Sequence, residues 1–145
     1  MSDHVSWDDQ SDRVSWDDLL HEEYRWLYRG VFLRSPDEDW MRDEDEIVPP
    51  RPDLVGWHWR QQHRNGDTET AYTSWSTNWE TARMFGEETR SDTKARGEVV
   101  VYRVRIDTLT NRGYYGREDE DEILIEGRVE GVEISTGLEE EEANG

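Results

Sequence analysis

Cysteine is absent from this chain, and lysine, proline and long apolar runs are scarce. The 145 residues include no cysteine, which excludes a disulfide framework and a thiolate metal site. No apolar run approaches the ~20 residues that a membrane-spanning helix needs, and no basic-then-apolar leader opens the sequence. We therefore expect a soluble, cytoplasmic protein that does not contact membranes.

Nucleotide and metal motifs are missing as well. The sequence has no Walker loop, no Gly-x-Gly-x-x-Gly, no His-Glu-x-x-His and no EF-hand spacing. His58 and His63 are five residues apart on a predicted helix, so they would not share one face as a metal-binding pair does. We therefore predict no metal cofactor and no nucleoside triphosphate chemistry.

Positively charged residues are few compared with negatively charged ones. Asp and Glu number 36 against 17 Lys and Arg, the net charge is −19, and Lys94 is the single lysine. Lysine and arginine supply most of the affinity for a phosphate backbone, so direct nucleic-acid binding is not expected. Three origins of this composition stay open: a surface suited to a high-salt cytoplasm, a GC-rich genome (including that of a virus infecting such a host), or carboxylates that imitate nucleic acid.

The length of the chain and the order of its patterns predict one domain. Residues 1–13 are interpreted as an N-terminal arm, residues 14–136 as the domain and residues 137–145 as an acidic disordered tail. The pentapeptide Val-Ser-Trp-Asp-Asp occurs at 5–9 and at 14–18. Helix and strand come first and strands dominate afterwards, which favours an α+β fold with a strand-rich core and flanking helices. We expect a monomer.

Individual elements are predicted from apolar spacing, capping residues and turn residues. Strands are expected at 27–32, 72–74, 98–106, 122–126 and 129–135, the last broken by Gly131. Helices are expected after Ser15, over 54–64 with Asp53 as N-cap, and from Asn78 to Phe85. The segments 35–52, 86–96 and 110–117 are predicted to be loops, because acidic and proline-rich, polar, or glycine-rich stretches dominate there.

Three short stretches carry residues suited to holding a polar ligand. Tyr28-Arg29-Gly30 lies on an apolar strand, Ser74-Trp75-Ser76 ends a later strand beside a helix start, and Glu120-Asp121-Glu122 opens another strand. Arginine forks match phosphate oxygens, glycine permits a close backbone approach, and neighbouring carboxylates are suited to acid–base work. Each stretch taken alone is also explained by core packing or by a solvated surface.

In this order, the three stretches resemble the arginine–serine–glutamate class of mono-ADP-ribosyltransferases. The family pattern Ser-Thr-Ser-x-x-x-x-x-Ala-x-x-Phe is met at Ser74, Ser76, Ala82 and Phe85, with Trp75 in place of the usual threonine. Together the matches cover residues 24–135. The resemblance implies an ADP-ribosyltransferase-like core of two packed antiparallel sheets, and NAD as the substrate.

The resemblance also implies a role for each matching residue. Glu122 would be the catalytic glutamate, and Glu120 the second acid, which orients or deprotonates an arginine acceptor. The transition state of ADP-ribose transfer resembles an oxocarbenium ion, which a fixed carboxylate stabilises. The residues of NAD binding would be Tyr28, Arg29, Gly30, Ser74 and Ser76. The residues of target recognition would be Tyr114 and Tyr115, in the loop before Glu120.

We therefore expect an NAD-dependent mono-ADP-ribosyltransferase that modifies a host or cellular protein, with arginine as the acceptor residue. A toxin or effector of a virus or conflict system is compatible with the small size. Two alternatives stay open: an acidic, non-enzymatic inhibitor that imitates DNA, and a degenerate transferase fold used only for binding. The first would bind a basic protein with steep salt dependence and ignore NAD, and the second would tolerate loss of Glu122.

Overall fold

A computed structural model describes residues 12–117 and 121–137. Three parts of the sequence-based predictions lie outside these residues. They are residues 1–11 of the predicted arm, with the first copy of the repeated pentapeptide, then Glu120, and residues 138–145 of the predicted tail. The predicted α+β class is confirmed. The elements are β1 (Arg13–Val14), α1 (Trp16–His21), β2 (Trp26–Arg34), β3 (Glu46–Ile47), α2 (Trp57–Arg64), β4 (Tyr72–Ser76), α3 (Trp79–Thr93), β5 (Gly97–Arg105), β6 (Gly113–Tyr115), β7 (Glu122–Glu126), β8 (Val129–Glu130) and β9 (Glu133–Ile134), with short 3-10 helices at Asp39–Asp43 and Ile106–Thr108.

Seven strands form one antiparallel sheet in the order β1-β6-β7-β4-β2-β5-β9, and β3 and β8 form a second, two-stranded sheet. β2 pairs with β5 over its whole length, from Trp26↔Arg105 to Arg34↔Gly97. By contrast, β2 pairs with β4 at a single position, Tyr28↔Ser76. The large sheet is therefore continuous on one side of β2 and opens on the other side beyond Tyr28.

Two helices cover the same face of the large sheet. α3 packs on β2 and β5, where Tyr28, Ala82 and Val101 form a buried cluster. α2 packs further along the sheet through Trp59, which contacts a buried cluster that includes Tyr72. Since paired residues and residues two apart along a strand share a face, Tyr28, Ser76 and Tyr72 all point to the same side. The main core lies on the opposite face and contains Leu27, Trp75, Val100, Tyr102, Val104 and Ile106, together with residues of α1 and of the small sheet.

Both predicted serine and asparagine caps are confirmed. The backbone N–H of Asp18 donates to Ser15 Oγ over 3.3 Å at the start of α1. The backbone N–H of Thr81 donates to Asn78 Oδ1 over 3.0 Å at the start of α3. Each cap satisfies an N–H group that has no partner within the helix, which a local sequence pattern is sufficient to specify.

Helix α3 is longer than the sequence indicated. It continues to Thr93, so the prediction of a loop at 86–96 is wrong for residues 86–93. Gly86 lies in the middle of the helix, where a Cβ would lie 2.6 Å from Val99 Cγ1 and 3.2 Å from the carbonyl oxygen of Val31. The glycine thus lets α3 lie close to β2 and β5, and this tertiary contact offsets the low helix propensity of the segment.

Two other predicted loops contain regular structure, because long-range partners support them. Segment 35–52 contains the first 3-10 helix and β3. The hydroxyl of Tyr102 donates to the carbonyl of Met41 in the 3-10 helix over 2.8 Å, and β3 pairs with β8. Segment 110–117 contains β6, which pairs with both β1 and β7. In both cases the prediction of a loop is wrong, since the stabilising hydrogen bonds come from remote residues.

Two boundaries also differ from the prediction. α2 begins at Trp57 with Gly56 at the N-cap position, so Asp53 is not its cap; instead, Asp53 forms an ion pair with Arg51 over 3.2 Å. Gly131 has a φ of 75° and separates β8 from β9, which belong to different sheets. No helix in the described part of the chain is both long enough and apolar enough to cross a bilayer.

Candidate functional site

A cleft opens in the large sheet where β2 and β4 part. Continued pairing beyond Tyr28↔Ser76 would bring Gly30 opposite Ser74, but the two strands separate before that point. The cleft has a volume of about 1370 Å³, and its walls come from β2, β4, α2, α3 and the segment 38–50. Of the residues that the sequence predicts for the site, Arg29, Gly30, Ser74 and Glu122 line this cleft.

The sheet register determines which backbone groups of β2 face the cleft. The N–H of Ser35 donates to the carbonyl of Arg96 over 2.8 Å, in the same register as the β2–β5 pairs. Hydrogen-bonded pairs alternate along an antiparallel ladder, so the odd-numbered residues of β2 bond to β5. The N–H and C=O groups of the even-numbered residues Gly30 and Phe32 therefore point towards the cleft. Each offers a ligand one donor and one acceptor.

Gly30 is also required for the helix that packs over it. A Cβ at this position would lie 2.5 Å from the carbonyl carbon of Ala82 and would overlap the carbonyl oxygen. The close approach predicted at this glycine is therefore made by α3. The side-chain position of Gly30 faces the helix, while its peptide groups face the cleft.

Arg29 spans the gap between the two strands. One terminal nitrogen donates to the carbonyl of Ser74 over 3.1 Å, whereas the Nε–H is buried and no described residue accepts a hydrogen bond from it. Part of the Arg29 residue remains open to the cleft. Burial of the guanidinium lowers the pKa of Arg29 to about 10, although the nearby Glu122 and Tyr102 act to raise that pKa. Arg29 is thus a cation at neutral pH with one unsatisfied donor, which suits an anionic ligand.

Ser74 is held by a histidine that the sequence did not assign to the site. Ser74 Oγ lies 2.9 Å from His63 Nε2, and His63 Nδ1 lies 2.8 Å from Thr70 Oγ1. Burial lowers the pKa of His63, so the ring is neutral at pH 7 and one of its nitrogens accepts a hydrogen bond. No sequence signal indicates this role, because it depends on how α2 lies across β4.

Glu122 is buried at the wall of the cleft, with 8% of its surface exposed. Its Oε1 accepts a hydrogen bond from the backbone N–H of Arg117 over 2.8 Å. A Cβ on Gly116 would lie 2.6 Å from both Cγ and Cδ of Glu122, so a glycine at 116 leaves room for the carboxylate. The position of this carboxylate is therefore fixed from two sides. Glu120 lies outside the described residues, and its role stays a prediction.

The four remaining predicted site residues have different surroundings. Tyr28 packs in the cluster under α3, and Ser76 is fully buried with its Oγ accepting a hydrogen bond from the N–H of Asn78 over 3.0 Å. Neither is among the described residues that line the cleft. Tyr114 is buried, and Tyr115 is 47% exposed. Of the two tyrosines predicted to recognise a target, Tyr115 is thus the accessible one.

A buried ion pair fixes α2, and with it His63. Arg60 is 2% exposed, and its Nε lies 3.0 Å from Asp12 Oδ2. Arg64 binds the same carboxylate over 2.6 Å, and the guanidinium carbon of Arg60 lies 3.8 Å from the ring centre of Tyr114. Asp12, at the end of the predicted N-terminal arm, therefore ties the edge of the sheet to the helix that carries His63.

The chain matches no protein-family model, and neither a curated protein nor a solved structure is significantly similar to it. In residues 12–117 and 121–137, no group of three or more His, Asp or Glu side chains is arranged to hold a metal ion. The polar groups around the gap between β2 and β4 are Arg29, the open peptide groups of β2, the His63–Ser74 pair and Glu122.

The burial of neutral His63 predicts that the protein loses stability at mildly acidic pH. The pKa of His63 is lowered from 6.5 by burial, helped by Arg29 and Arg64 and opposed by Glu122 and Asp67. The unfolded state therefore binds a proton more readily than the folded state. The free energy of unfolding should be constant above about pH 6.5 and fall as the pH is lowered through the folded pKa, by about 1.4 kcal/mol for each tenfold difference in proton affinity.

Urea unfolding between pH 7.5 and pH 5 measures this effect. His63→Gln should flatten the pH dependence in that window, whereas His58→Gln, which changes an exposed histidine of the same helix, should leave it unchanged. Equal pH dependence of the wild type and His63→Gln would contradict the prediction.

Proposed function

We propose that this protein is an NAD-dependent mono-ADP-ribosyltransferase that modifies a protein, with arginine as the acceptor side chain. The observation that carries the proposal is the gap between β2 and β4, around which Arg29, Gly30, Ser74 and Glu122 meet. These four residues come from three distant stretches of the chain. They are also the residues that the sequence pattern selects by resemblance to the arginine–serine–glutamate class.

Arg29, Gly30 and Ser74 each suit one part of NAD. The guanidinium of Arg29, a residue that lines the cleft and is partly exposed, suits a pyrophosphate oxygen, since guanidinium groups bind phosphates with charge-assisted hydrogen bonds. The N–H and C=O of Gly30 suit the carboxamide of nicotinamide, which offers an acceptor and a donor in return. The hydroxyl of Ser74, oriented by His63, suits a ribose hydroxyl.

Glu122 suits the reacting centre. When the bond between nicotinamide and the ribose C1′ breaks, the electron pair leaves with neutral nicotinamide and positive charge develops on the ribose. A carboxylate held in place by the N–H of Arg117 stabilises that charge without having to reorganise. A guanidine nitrogen of the acceptor then bonds to C1′ and releases a proton, which Glu120 would accept.

The proposal includes an ADP-ribosyltransferase-like arrangement of the two sheets, a cytoplasmic location for this protein and a host or cellular protein as the acceptor. Two observations support the fold. The large antiparallel sheet opens between β2 and β4, and the two-stranded sheet packs on the main core through Val129. Support for recognition of a protein comes from Tyr115, which is exposed next to the strand edge that leads to Glu122.

Incubation with NAD labelled in its adenylate half, together with a cell lysate, tests the proposal. We expect a labelled protein band and an equivalent release of nicotinamide. The reaction should be run at low and at molar salt, because a net charge of −19 gives strong self-repulsion that salt screens. A cooperatively unfolding protein that gives neither product at either salt would contradict the proposal.

The net charge favours a second candidate, an acidic inhibitor that occupies a DNA-binding protein. Such an inhibitor would bind its basic partner with an affinity that falls steeply with salt, and NAD would not affect the binding. Replacement of Glu122 by glutamine would leave that activity unchanged. A pull-down with immobilised DNA-binding proteins, repeated at several salt concentrations, distinguishes it from the transferase.

A further inference from the structure

The cleft extends beyond the groups that the proposed reaction uses. β2 rises ~3.3 Å per residue, so Leu33 lies ~13 Å along the strand from Arg29. This far half of the cleft is bounded by the 3-10 helix segment on one side and by the second half of α3 on the other. We refer to it as the distal half, defined by Phe32, Trp40, Met41, Glu44, Val48 and Glu88.

Large apolar side chains are exposed in the distal half. Trp40 is 66% exposed, Val48 49% and Met41 37%. The hydroxyl of Tyr102 holds the backbone of this segment through the carbonyls of Met41 and Arg42. Trp40 is thus presented to the cleft from a fixed backbone rather than from a free loop. An exposed tryptophan on a supported backbone at the wall of a cleft is typical of a binding surface.

The charge of the distal half is opposite to that around Arg29. Glu44 and Glu88 both line the cleft and are exposed, and neither forms an ion pair with a residue that the structure describes. Two other acids that line the cleft do have partners: Glu38 pairs with Arg34 over 3.3 Å and Glu46 with Arg128 over 3.7 Å. Two exposed carboxylates without a described ion-pair partner and an exposed indole ring therefore line the same half of the cleft. Together they are complementary to a basic group that is partly apolar.

The backbone of β2 is open in the distal half. The N–H and C=O of Phe32 point towards the cleft, where β4 does not pair with them. At the next even-numbered position the edge is closed, because the N–H of Arg34 donates to Glu38 Oε1 over 2.8 Å. On the β4 side, Arg29 occupies the carbonyl of Ser74, and Thr70 Oγ1 accepts from the N–H of Tyr72 over 3.1 Å. The open strand edge in the distal half thus belongs to β2.

We propose that the distal half binds a short, extended, basic segment of a partner protein. The segment pairs with the N–H and C=O of Phe32 as an added strand, and an arginine or lysine side chain lies over Trp40 between Glu44 and Glu88. Main-chain hydrogen bonds supply affinity in such strand addition, and the alternating side chains supply specificity. This docking goes beyond the proposed function, because it requires neither NAD nor Glu122.

Fluorescence anisotropy with labelled octapeptides tests the proposal without NAD. The first peptide alternates arginine and valine, the second replaces each arginine by glutamate, and the third keeps the arginines but carries N-methyl groups on alternate backbone nitrogens. The first peptide should bind, with an affinity that falls as salt is raised. The second should not bind, and the third should bind at least tenfold more weakly than the first because it cannot pair along its edge.

Variants with matched controls locate the binding. Trp40→Ala should weaken binding of the first peptide about fivefold, and Glu44→Gln combined with Glu88→Gln at least tenfold. Met84→Ala and Asp92→Asn, which change an exposed methionine and an exposed acid elsewhere on α3, should have no effect.

Several outcomes would overturn the proposal. They are the absence of binding, equal binding of the N-methylated peptide, and equal losses in the two control variants. If Trp40→Ala instead raises the KM for NAD and leaves peptide binding unchanged, the distal half belongs to the nucleotide. Failure of the NAD assay alone would leave the peptide result intact, so the two proposals fail separately.

Discussion

Glutamine in place of Glu122 is expected to lower nicotinamide release and protein labelling about 10²–10³-fold, while the fold is retained. Glutamine has nearly the same shape, and its side-chain oxygen can still accept the hydrogen bond from Arg117. What the variant lacks is the negative charge that stabilises the positively charged ribose in the transition state. The loss should therefore appear in kcat rather than in the KM for NAD.

Steady-state release of nicotinamide measures this effect, with urea unfolding as the test of folding. Glu126→Gln is the matched control, because Glu126 lies on the same strand and the same face but contacts Tyr72 over 3.0 Å and is not among the described residues that line the cleft. It should keep full activity. Retention of more than a tenth of the wild-type rate in Glu122→Gln would show that Glu122 is not the catalytic residue.

Glu120 provides a second comparison on the same assay. Glu120→Gln is expected to abolish labelling of arginine, because Glu120 would orient or deprotonate the acceptor arginine. Nicotinamide release should continue, because water can take the place of the arginine. Survival of both reactions would show that Glu120 has no part in acceptor recognition.

Alanine in place of Gly30 is expected to have the largest effect on stability, a loss of about 3 kcal/mol or more in the free energy of unfolding. The added methyl group would overlap the carbonyl oxygen of Ala82, which is a backbone atom of α3 and cannot rotate away. The helix must shift as a body, and with it the wall of the cleft that Phe85 and Glu88 form. Activity should therefore fall even at temperatures where the variant is folded.

Urea unfolding of Gly30→Ala should be compared with that of Gly66→Ala. A Cβ at Gly66 has nothing within 4 Å, so that variant is penalised only for its φ of 107°, by about 1–2 kcal/mol. The difference between the two variants isolates the cost of the overlap with α3. A loss in Gly30→Ala no larger than in Gly66→Ala would show that α3 can move at little cost.

Local rules were sufficient for part of the fold and for the choice of several site residues. Ser15 and Asn78 cap helices because the hydrogen bonds they accept come from residues three positions further along the chain. Apolar spacing predicted the strand at 98–106, where Val100, Tyr102 and Val104 of β5 are buried on one face of the sheet.

Elements that depend on distant partners were predicted poorly. The 3-10 helix at Asp39–Asp43 is held by Tyr102, some sixty residues away, and β6 exists because β1 and β7 pair with it. The extension of α3 to Thr93 relies on its contact with β2 and β5 across Gly86. Hydrogen bonds and contacts of this kind leave no periodic signal in the segment that they stabilise.

The sequence by itself determined which side chains are available: an arginine beside a glycine, two serines separated by one residue and an acidic stretch, in that order along the chain. Only the tertiary structure decided that β2 and β4 separate after one pair, so that Arg29, the peptide groups of Gly30, Ser74 and Glu122 share a cleft. It also brought His63 to Ser74. Strand register and helix placement arise from contacts between remote segments, which local patterns do not encode.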